Sequence, residues 1–460
     1  MKKLLAITLA FFACVALSAK DYSTYYQNLP IELQQVTAPT VPDLRVSIDT
    51  CGAVGDGRTD CTEAFQKTID RLAKKGGGHV DVPAGIWVIA PIKLKSCIDL
   101  HLAKNAILQL TPERGKHIQK AGAKPRPGIS ASDCHDVSIT GSGIIDGNGE
   151  FWRAVKRGKQ SDVEWNQYKS TGGTVNEKGD LWYPFNLKND SNIAATMEEQ
   201  EKMRVNMVRF TNCERVLLQG VTLQNSPKFH YSPTDCVDVI IDGITVRCPW
   251  NAQNGDAIDI GTSQRVLIVD NVIDCGDDGI CMKGGVGDAS INRMACQDIL
   301  IRNNTVFHAH GGFVIGSEFS AGMHKIVVCD NTFSGTDTGL RFKSAVGRGG
   351  QTSDIYCYNI MMTDIKDQAI VFETSYADKA VSGTTGPGEG VKWMPEFKDI
   401  HISNVICERC KIALKAKGSK EMIHDISIAN SIFYYTSKDM DLDEEIDITV
   451  DGVSISEWGK

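Results

Sequence analysis

The sequence predicts an all-β protein, a single-stranded parallel β-helix of about ten coils with one amphipathic helix at its N-terminal end. Two observations carry this prediction. A short strand pattern, in which apolar and variable residues alternate and a Gly, Asn or Asp follows, occurs ten times along the chain. A single helix pattern lies ahead of all ten copies, at the place where a solenoid needs a cover for its open core.

The repeat separates this fold from other all-β architectures. From the second copy onward, successive copies begin 22 to 45 residues apart. A propeller blade needs about 40 residues or more and hairpin turns, whereas most units here are shorter and Asn-Gly hairpin signals are scarce. Stacked coils would lie about 4.8 Å apart, the strand spacing of a sheet. The copies begin at Val137, Val216, Val239, Val266, Ile299, Ile326, Ile355, Ile400, Ile426 and Ile448, and their fifth residues are Gly141, Gly220, Gly243, Asp270, Asn303, Asp330, Asn359, Asn404, Asn430 and Gly452.

The helix pattern begins near Asp60, which is the predicted N-cap, and ends at the glycines 76–78. Its apolar face would cover the end of the core and is formed by Phe65, Ile69 and Leu72. Strand patterns then follow at 80–82, 86–88, 100–102 and 107–110.

The first nineteen residues predict a signal peptide. Two lysines precede the apolar run 4–17, and a small-residue cleavage site ends at Ala19. Lipidation at Cys14 is the alternative, but the residues before it make a poor lipobox. No later segment is long and apolar enough to cross a bilayer. We therefore expect an exported protein, periplasmic or secreted, whose residues 20–460 form one β-helix domain.

The composition limits the classes of partner. The chain has 460 residues, 42% of them hydrophobic, and a net charge of −8. A nucleic-acid binder or a protein of anionic membranes would normally need a basic face, so we expect neither partner. A polyanionic ligand would have to be held by a local basic site. We expect the protein to be a monomer.

The fifteen cysteines predict buried thiols more than a disulfide scaffold, because they are spread over most of the chain and many fall in strand patterns. No Cys/His spacing matches a zinc site, and we expect no metal. Three pairs are close enough in sequence to form disulfides, namely Cys51/Cys61, Cys275/Cys281 and Cys407/Cys410.

Two stretches interrupt the repeat and predict loop insertions, one near 152–204 and one near 378–395. They contain four of the seven tryptophans, which are Trp152, Trp165, Trp182 and Trp393. These rings either anchor the loops or form the rim of a sugar-binding groove, since aromatic faces are good platforms for pyranose rings.

Four polar clusters are the candidate functional site. They are separated by 21, 32 and 31 residues, so each could lie on a successive coil and all could line one groove. The clusters are Asn254-Gly255-Asp256, Asp277-Asp278-Gly279, His310-Gly311-Gly312 and Arg341-Phe342-Lys343.

The last cluster predicts a site for a carboxylate. Strand alternation would bury Leu340 and Phe342 and turn Arg341 and Lys343 outward together. Two cations on one face of an acidic protein suit carboxylate binding, which Arg can make bidentate. A solvated basic face is the alternative.

The aspartates predict acid-base chemistry. Asp256, Asp277 and Asp278 would repel one another if packed within one coil spacing, so the pKa of one should rise and let it act as an acid while the others act as bases. Glycoside hydrolysis with inversion needs this division of roles. A turn capped by Asp, or a calcium-ligand pair, is the alternative interpretation of Asp277-Asp278.

In order and spacing, these clusters resemble the four signature motifs of the polygalacturonase family, glycoside hydrolase family 28. The resemblance extends from the stretch 49–57, through Asn225-Ser226-Pro227, to Tyr376. It implies a right-handed parallel β-helix that cleaves α-1,4-galacturonide linkages of a pectic polysaccharide or oligogalacturonide by a single inverting displacement, without metal or cofactor.

The resemblance also implies a role for each matched residue. Asp277 would protonate the glycosidic oxygen, and Asp256 and Asp278 would hold and deprotonate the attacking water. His310 would lie beside the acid and maintain its protonation and orientation. Arg341 and Lys343 would bind a galacturonate carboxylate. The remaining substrate contacts would come from Asn254 and Tyr376.

Departures from the motifs leave the finer specificity open. The family usually has other residues where this chain has Gly255, Gly279 and Ala309. Arg341 and Lys343 favour galacturonate over the alternating rhamnose-galacturonate backbone, and a member acting on a rhamnogalacturonan or xylogalacturonan backbone is the alternative. The insertion near 152–204 could close one end of the groove, and the stretch 315–318, Ile-Gly-Ser-Glu, resembles bacterial exo-acting members. We therefore expect exo action.

Two other classes of function remain open on the sequence alone. A pectate-lyase-type enzyme would use calcium on acidic residues and an arginine base, and chelator would abolish its activity; it would leave His310 without a role. A non-catalytic β-helix that binds sugars would need none of the four clusters, and Asp277→Asn would leave its function intact.

Overall fold

The computed structural model describes residues 20–118, 123–184, 196–376 and 392–459. The predicted signal peptide and the part of the second insertion up to residue 391 lie outside these residues. The fold is the predicted right-handed parallel β-helix, in which one continuous parallel pairing joins thirty strands. Most coils contain three short strands, which stack on their counterparts in the neighbouring coils and form three sheets.

The first sheet lies on the face of the β-helix that carries the polar clusters. Between Thr211 and Ile258 its ladder continues through the isolated bridges of Tyr231 and Thr234. Its strands are Ile92–Lys93, Ile129–Ser132, Val208–Thr211, Ile258–Gly261, Asp278–Lys283, Gly311–Ser317, Thr338–Ser344 and Gln368–Glu373.

The second and third sheets complete the coils. The second consists of Arg45–Ser47, Gly78–Val82, Ile98–Leu102, His135–Gly141, Glu214–Gln219, Val237–Asp242, Gln264–Val269, Cys296–Arg302, Met323–Cys329, Ile426–Ala429 and Ile448–Asp451. The third consists of Asp56–Asp60, Gly85–Ile89, Ala106–Leu110, Ile144–Asp146, Thr222–Gln224, Thr245–Arg247, Val272–Asp274, Thr305–Phe307, Thr332–Ser334 and Ser454–Glu457. Longer strands pass from one sheet to the next at Gln351–Thr363, Ile400–Lys417 and Ile432–Leu442, and Glu396–Phe397 pairs with the start of the first of these.

The sequence repeat is the second sheet together with the turn that follows it. All ten copies begin in strands of this sheet or in the long strands that pair with it. All ten fifth residues have left-handed backbone, with φ between 48° and 108°. Gly, Asn and Asp adopt this conformation at the least steric cost, which is why they end each copy.

A ladder of buried asparagines follows this turn in three successive coils. The side-chain amide of Asn271 donates to Oδ1 of Asn304 at 2.8 Å, and that of Asn304 donates to Oδ1 of Asn331 at 3.0 Å. The same amides also donate to backbone carbonyls. The ladder therefore satisfies polar groups that the coil corners bury.

Helix α1, Thr62–Lys74, covers the N-terminal end of the core as predicted, and Phe65, Ile69 and Leu72 are buried there. The predicted cap was wrong by one residue. Cys61 occupies the N-cap position, and Asp60 accepts the backbone N–H of Thr62 at 3.0 Å. The remaining helices are short: α2 is Arg114–His117, α3 is Asp162–Ser170 and α4 is Met197–Lys202.

The segment before the first strand crosses the outer face of the second sheet, which the sequence did not predict. Tyr22 and Leu33 are buried against apolar residues of that sheet. The hydroxyl of Tyr22 donates to Asp242 at 3.0 Å, and the backbone N–H of Thr37 donates to Asp238 at 3.1 Å. The segment before the first strand therefore covers the outer face of the second sheet.

The first insertion contains α3, α4 and a small antiparallel sheet of strands Val155–Lys156, Thr174–Val175 and Leu181–Tyr183. Trp152, Trp165 and Trp182 are all buried, which fits the anchoring interpretation of these rings. All fourteen cysteines within the described ranges are free thiols, so the three possible disulfides are not formed. No helix in the described part of the chain is long and apolar enough to span a membrane.

Candidate active site

The catalytic candidates lie on the turns that lead into three neighbouring strands of the first sheet. Asn254 and Asp256 precede the strand Ile258–Gly261, Asp277 precedes the strand Asp278–Lys283, and His310 precedes the strand Gly311–Ser317. These strands pair in register, with Ile258 opposite Ile280 and Ile280 opposite Phe313. Parallel stacking therefore brings the three turns together, as the sequence spacing predicted.

Arg341 and Lys343 project from the strand Thr338–Ser344 toward these turns. Leu340 and Phe342 are fully buried in the core, which confirms the predicted alternation. Nζ of Lys343 lies 2.7 Å from Oδ2 of Asp278, and Nη1 of Arg341 lies 3.5 Å from Oδ1 of the same residue. Both cations thus already face a carboxylate of the protein.

Gly316 makes room for the lysine. It is the register partner of Lys343 in the neighbouring coil. A Cβ at this position would lie 2.6 Å from Cε of Lys343. The lysine side chain therefore packs over the backbone of Gly316, reaches Asp278 and is only 6% exposed.

The side chains enclose a cavity of about 620 Å³ on the first sheet. Seven of its lining residues are basic and five are acidic, so this cavity is locally cationic in a protein of net charge −8. That is the local basic site that an anionic ligand would require. The basic residues are Lys156, Lys202, Arg204, Lys228, Lys283, Lys343 and Arg348, and the acidic ones are Glu201, Asp256, Asp277, Asp278 and Glu318.

Asp277 accepts three hydrogen bonds. Oδ1 faces Nδ1 of His310 at 3.0 Å and the backbone N–H of Asp278 at 3.1 Å, and Oδ2 accepts the backbone N–H of Asn254 at 3.0 Å. Burial alone would raise the pKa of Asp277, but the hydrogen bond from His310 and the ammonium of Lys343 outweigh it and leave this pKa below its ordinary value.

Asp278 is buried and strongly ionised. Burial opposes its charge, yet the nearby cations of Lys343, Arg341 and Lys283 hold its pKa well below the usual range. A carboxyl with a lowered pKa stays ionised in neutral and mildly acidic solution, although it accepts a proton less readily than an ordinary carboxylate.

Asp256 has the opposite environment. Burial and repulsion from Asp259 and Asp277 raise its pKa well above the ordinary value. Its Oδ1 finds no hydrogen-bond partner among the described residues, and Lys283 approaches Oδ2 only to 3.9 Å. The predicted rise of one pKa among the three aspartates therefore falls on Asp256, and not on Asp277.

Asp259 is a second buried carboxyl beside Asp256, and none of the sequence motifs contains it. Burial raises its pKa to about 6 despite the ammonium of Lys283, 3.9 Å from Oδ1. Two buried carboxyls therefore share one lysine. The signal was available in the sequence, since strand alternation turns Asp259 outward between the buried Ile258 and Ile260.

Asn254 and Tyr376 lie at the edges of the cavity. Asn254 has left-handed backbone, with φ of 51°, and its side-chain oxygen accepts from Nη2 of Arg204 at 2.9 Å. The ring centroid of Tyr376 lies 5.1 Å from Nζ of Lys343 and 5.6 Å from the guanidinium carbon of Arg341. Seven of the eight predicted site residues therefore line one cavity, and the eighth, Arg341, contacts Asp278 beside it.

The departures from the resembled motifs fit the local packing. A Cβ at Gly255 would lie 3.1 Å from Cβ of Ala252, so a larger residue would have to displace that turn. A Cβ at Gly279 would lie 2.7 Å from Cγ1 of Val306. Glycine at these two positions lets the turns approach the core without moving a titrating group.

Asp277, Asp278 and His310 could in geometry bind a divalent cation, since one ligand atom from each lies within 4.8 Å of the other two. The charges argue against this use. Lys343 and Arg341 already neutralise Asp278, and they would repel a metal ion at the same position.

Comparison with known proteins gives the family. Residues 163–441 match the family described as Glycosyl hydrolases family 28. The chain belongs to glycosyl hydrolase family 28. It is therefore related to enzymes that cleave glycosidic bonds, which agrees with the arrangement of carboxyl groups in the cavity.

Individual relatives are similar over most of the chain. An exo-poly-α-D-galacturonosidase from Dickeya chrysanthemi is 30% identical over 413 residues, covering 84% of this chain and 67% of the relative. An endo-polygalacturonase from Pectobacterium carotovorum subsp. carotovorum is 24% identical and covers 81% of this chain and 84% of its own. The solved structure of an exopolygalacturonase from Thermotoga maritima is 26% identical, with a TM-score of 0.71 over 91% of this chain and 94% of that one. The Yersinia enterocolitica family 28 exopolygalacturonase, 22% identical with a TM-score of 0.66 over 91% of this chain and 79% of its own, shares the fold.

In this family 28 chain, the cavity also receives side chains from the first insertion. Arg204 contacts Asn254, and Nζ of Lys159 lies 3.3 Å from Nε2 of His310. Sequence reasoning missed both residues. The insertion has no repeat, so its register against the coils could not be inferred from spacing.

Proposed function

We propose that this protein is an exo-acting, inverting hydrolase of α-1,4-galacturonide linkages in a pectic polysaccharide or its oligosaccharides. The observation that carries the proposal is the cationic cavity on an acidic protein, with three aspartates stacked at its floor. The similarity to the Dickeya exo-poly-α-D-galacturonosidase supports the same substrate.

A galacturonate carboxylate would be bound by Arg341, whose side chain is 19% exposed and can offer a bidentate contact. Lys343 is nearly buried and makes its shortest contact with Asp278. We therefore assign Lys343 a second task besides substrate binding, which is to keep Asp278 ionised. Tyr376 lies beside both cations and would contact the sugar.

In the proposed reaction, a water molecule attacks the anomeric carbon as the bond to the glycosidic oxygen breaks. Asp277 gives its proton to that oxygen, and Asp278 accepts a proton from the water. Asp256, whose pKa is raised by burial and by its neighbouring carboxyls, would donate a hydrogen bond that orients the water. The product has inverted configuration because water and leaving group occupy opposite faces of the sugar.

Asp277 must be protonated to act as the acid, yet its pKa is lowered in the free protein. Substrate binding supplies the change. A sugar filling the cavity expels water, and its carboxylate brings a negative charge close to Asp277, and both effects raise a carboxyl pKa. We therefore expect the acid to take up its proton as the substrate binds.

Exo action is supported by the insertion. Arg204 closes against Asn254 on one side of the cavity, at 2.9 Å, and Lys159 lies against His310 at 3.3 Å. These contacts bring the insertion against the turns that carry Asn254 and His310, where it would stop a polymer chain from continuing. A groove closed at one end admits a chain terminus, from which cleavage would release short products.

The proposal is tested by product analysis. The purified protein is incubated with polygalacturonate and with a galacturonate trimer in the presence of chelator, and reducing ends, ultraviolet absorbance and product size are followed. We expect reducing ends without an unsaturated chromophore, short products from the outset, and no activity in Asp277→Asn. A chelator-sensitive chromophore would indicate a lyase. Activity only on a rhamnogalacturonan or xylogalacturonan backbone would overturn the substrate assignment.

We also propose that the chain is exported, that cleavage follows Ala19, and that residues 20–460 act as one monomeric catalytic domain. The hydrophobic core supports a single domain, since one cluster of buried residues extends from Ile48 to Ile448. The mass of the mature protein and its elution volume in size-exclusion chromatography would test these assignments. A lipid-modified N-terminus at Cys14 or a dimer would contradict them.

A further inference from the structure

The turn Arg157–Lys159 of the first insertion brings a lysine to the catalytic histidine. Nζ of Lys159 lies 3.3 Å from Nε2 of His310 and 5.8 Å from the ring centroid of Trp250. The other ring nitrogen of His310, Nδ1, lies 3.0 Å from Oδ1 of Asp277. One imidazole therefore links a residue of the insertion to the acid assigned above.

The turn that carries Lys159 is fixed by its first residue, Arg157. The backbone N–H of Arg157 donates to the carbonyl of Asp180 at 2.8 Å, and Nη1 donates to the carbonyl of Gln160 at 2.7 Å. Its guanidinium pairs with Asp162 and lies 5.8 Å from the ring centroid of Trp165. These contacts hold the turn against the insertion, so Lys159 is presented to His310 from a defined direction.

The contact has a direction, because an ammonium group can only donate hydrogen bonds. When Lys159 is charged, Nε2 of His310 must be the acceptor and carries no proton. The single ring proton then lies on Nδ1, which donates it to Asp277. We propose that Lys159 is a positioning residue that holds His310 neutral, in the tautomer that donates from Nδ1 to Asp277.

The charged groups around the imidazole oppose one another. Oδ2 of Asp337 lies 3.8 Å from Nε2 of His310 and would favour a second proton there, while Lys366 lies 3.7 Å from Oδ1 of the same aspartate. Burial lowers the pKa of Lys159, Lys156 and Lys366 lower it further, and Asp277 and Asp337 raise it. The contact of Lys159 with Nε2, at 3.3 Å, is shorter than that of Asp337, at 3.8 Å. In acidic solution Lys159 is an ammonium group, so the imidazole faces a cation there.

The consequence for catalysis rests on the function proposed above. Without Lys159, Asp337 would stabilise a second proton on Nε2, and His310 would become a cation. A cation hydrogen-bonded to Asp277 favours the ionised carboxylate. Asp277 would then lose its proton at a lower pH. Removing the Lys159 side chain would therefore change the protonation of Asp277 through His310.

The first test needs no substrate. Protein labelled with ¹⁵N in its histidines is compared by NMR as wild type, Lys159→Met, Lys159→Arg and Lys366→Met, with His310 assigned from the signal that disappears in His310→Asn. We expect the Nδ1–H tautomer in wild type, Lys159→Arg and the control Lys366→Met. Lys159→Met should show a larger fraction of doubly protonated imidazole than the wild type at the same pH. The wild-type tautomer in Lys159→Met, or an Nε2–H tautomer in the wild type, would overturn the proposal.

The second test is the pH profile of kcat on the galacturonate trimer. In Lys159→Met we expect the alkaline limb to move to lower pH by about one unit, with a smaller change in KM, and Lys159→Arg should restore it. Equal loss at all pH values would indicate a structural role and overturn the proposal.

A further variant covers the case in which Lys159→Met does not fold. Asp337→Asn removes the group that competes for Nε2, so it must not increase the doubly protonated form, and an increase would overturn the proposal. If no galacturonide is cleaved by the wild type, the NMR comparison still decides the role of Lys159, and the failure belongs to the proposed function alone.

Discussion

Lys343 and Lys283 face buried aspartates on the same sheet, yet the carboxyls around them differ in protonation. Lys343 lies 2.7 Å from Asp278, which Arg341 also approaches. Lys283 lies 3.9 Å from both Asp256 and Asp259. The pKa of Asp278 is held far below its usual range by its cations, whereas burial raises those of Asp256 and Asp259.

Burial does not explain the difference, because Asp278 is 1% exposed and Asp256 is 3% exposed. The number of cations close to each carboxyl explains why their pKa values differ. One carboxylate with two close cations can remain ionised, while two carboxyls that share one distant cation repel each other and retain a proton. In the proposed reaction the first arrangement gives a base that is always ionised, and the second gives a hydrogen-bond donor for water.

Among the substitutions that test this comparison, removing the ionised carboxyl should have the largest effect. Asp278→Asn takes away the proposed base and leaves the ammonium of Lys343 without its closest partner. We expect kcat on the galacturonate trimer to fall about 10³-fold, within the range found for general bases, while KM changes less. A thermal melt accompanies the assay, and a folded variant with more than a tenth of the wild-type kcat would contradict the assignment.

Removing each lysine in turn tests the comparison directly. In Lys343→Met the pKa of Asp278 should rise toward its ordinary value, because its closest cation is removed. Asp278 is needed in its ionised form, so activity should disappear earlier as the pH falls, and the acidic limb of the kcat profile should move to higher pH. Lys283→Met should leave that limb closer to the wild-type position, because Lys283 is only the third cation near Asp278.

The outcome of this pair is informative in either direction. Equal shifts of the acidic limb in both variants would mean that the short contact of Lys343 has no special weight. An increase in KM alone in Lys343→Met, with an unchanged pH profile, would mean that the lysine serves only to bind the substrate carboxylate.

Asp259→Asn should change stability more than activity. The pKa of Asp259 is about 6 in the folded protein, against an ordinary 3.8. The folded state therefore binds more protons than the unfolded state between these values, and the contribution of Asp259 to stability is lost as the pH rises through 6. Removing the group should reduce the decline in unfolding free energy between pH 4 and pH 7, by up to about 3 kcal/mol.

Denaturant melts at the two pH values measure this decline for the wild type, Asp259→Asn and the control Asp439→Asn, which changes an exposed carboxyl. The control should follow the wild type. A decline in Asp259→Asn as steep as that of the wild type would show that Asp259 does not carry the pH dependence.

The fold and the four clusters could be predicted because both depend on the coil repeat. Ten left-handed residues end the repeat copies, and the spacing of the clusters placed Asp256, Asp277 and His310 on stacked turns. Strand alternation gave the direction of Arg341 and Lys343. These features follow from local backbone preference and a fixed period, which are visible in one sequence.

The remaining features depend on contacts without a period. Arg204 reaches the cavity and Lys159 reaches His310 from an insertion without a repeat, in which Trp152, Trp165 and Trp182 are buried. The raised pKa of Asp256 depends on how many cations face each carboxyl, which sequence spacing does not give. The repulsion among the aspartates was foreseen, but the residue that keeps the proton was not.

The smallest expected effect comes from moving Lys343 without removing it. In Gly316→Ala the new Cβ would lie 2.6 Å from Cε of Lys343 and 2.9 Å from Cγ1 of Val314, so the lysine must shift away from Asp278. The charge ratio is unchanged and only the contact is lengthened, so we expect a few-fold fall in kcat and a small upward shift of the acidic limb, in the direction of Lys343→Met. Gly115→Ala, where a Cβ meets nothing within 4 Å, is the matched control. If Gly316→Ala keeps the wild-type profile while Lys343→Met does not, the presence of the cation, and not its 2.7 Å contact, sets the state of Asp278.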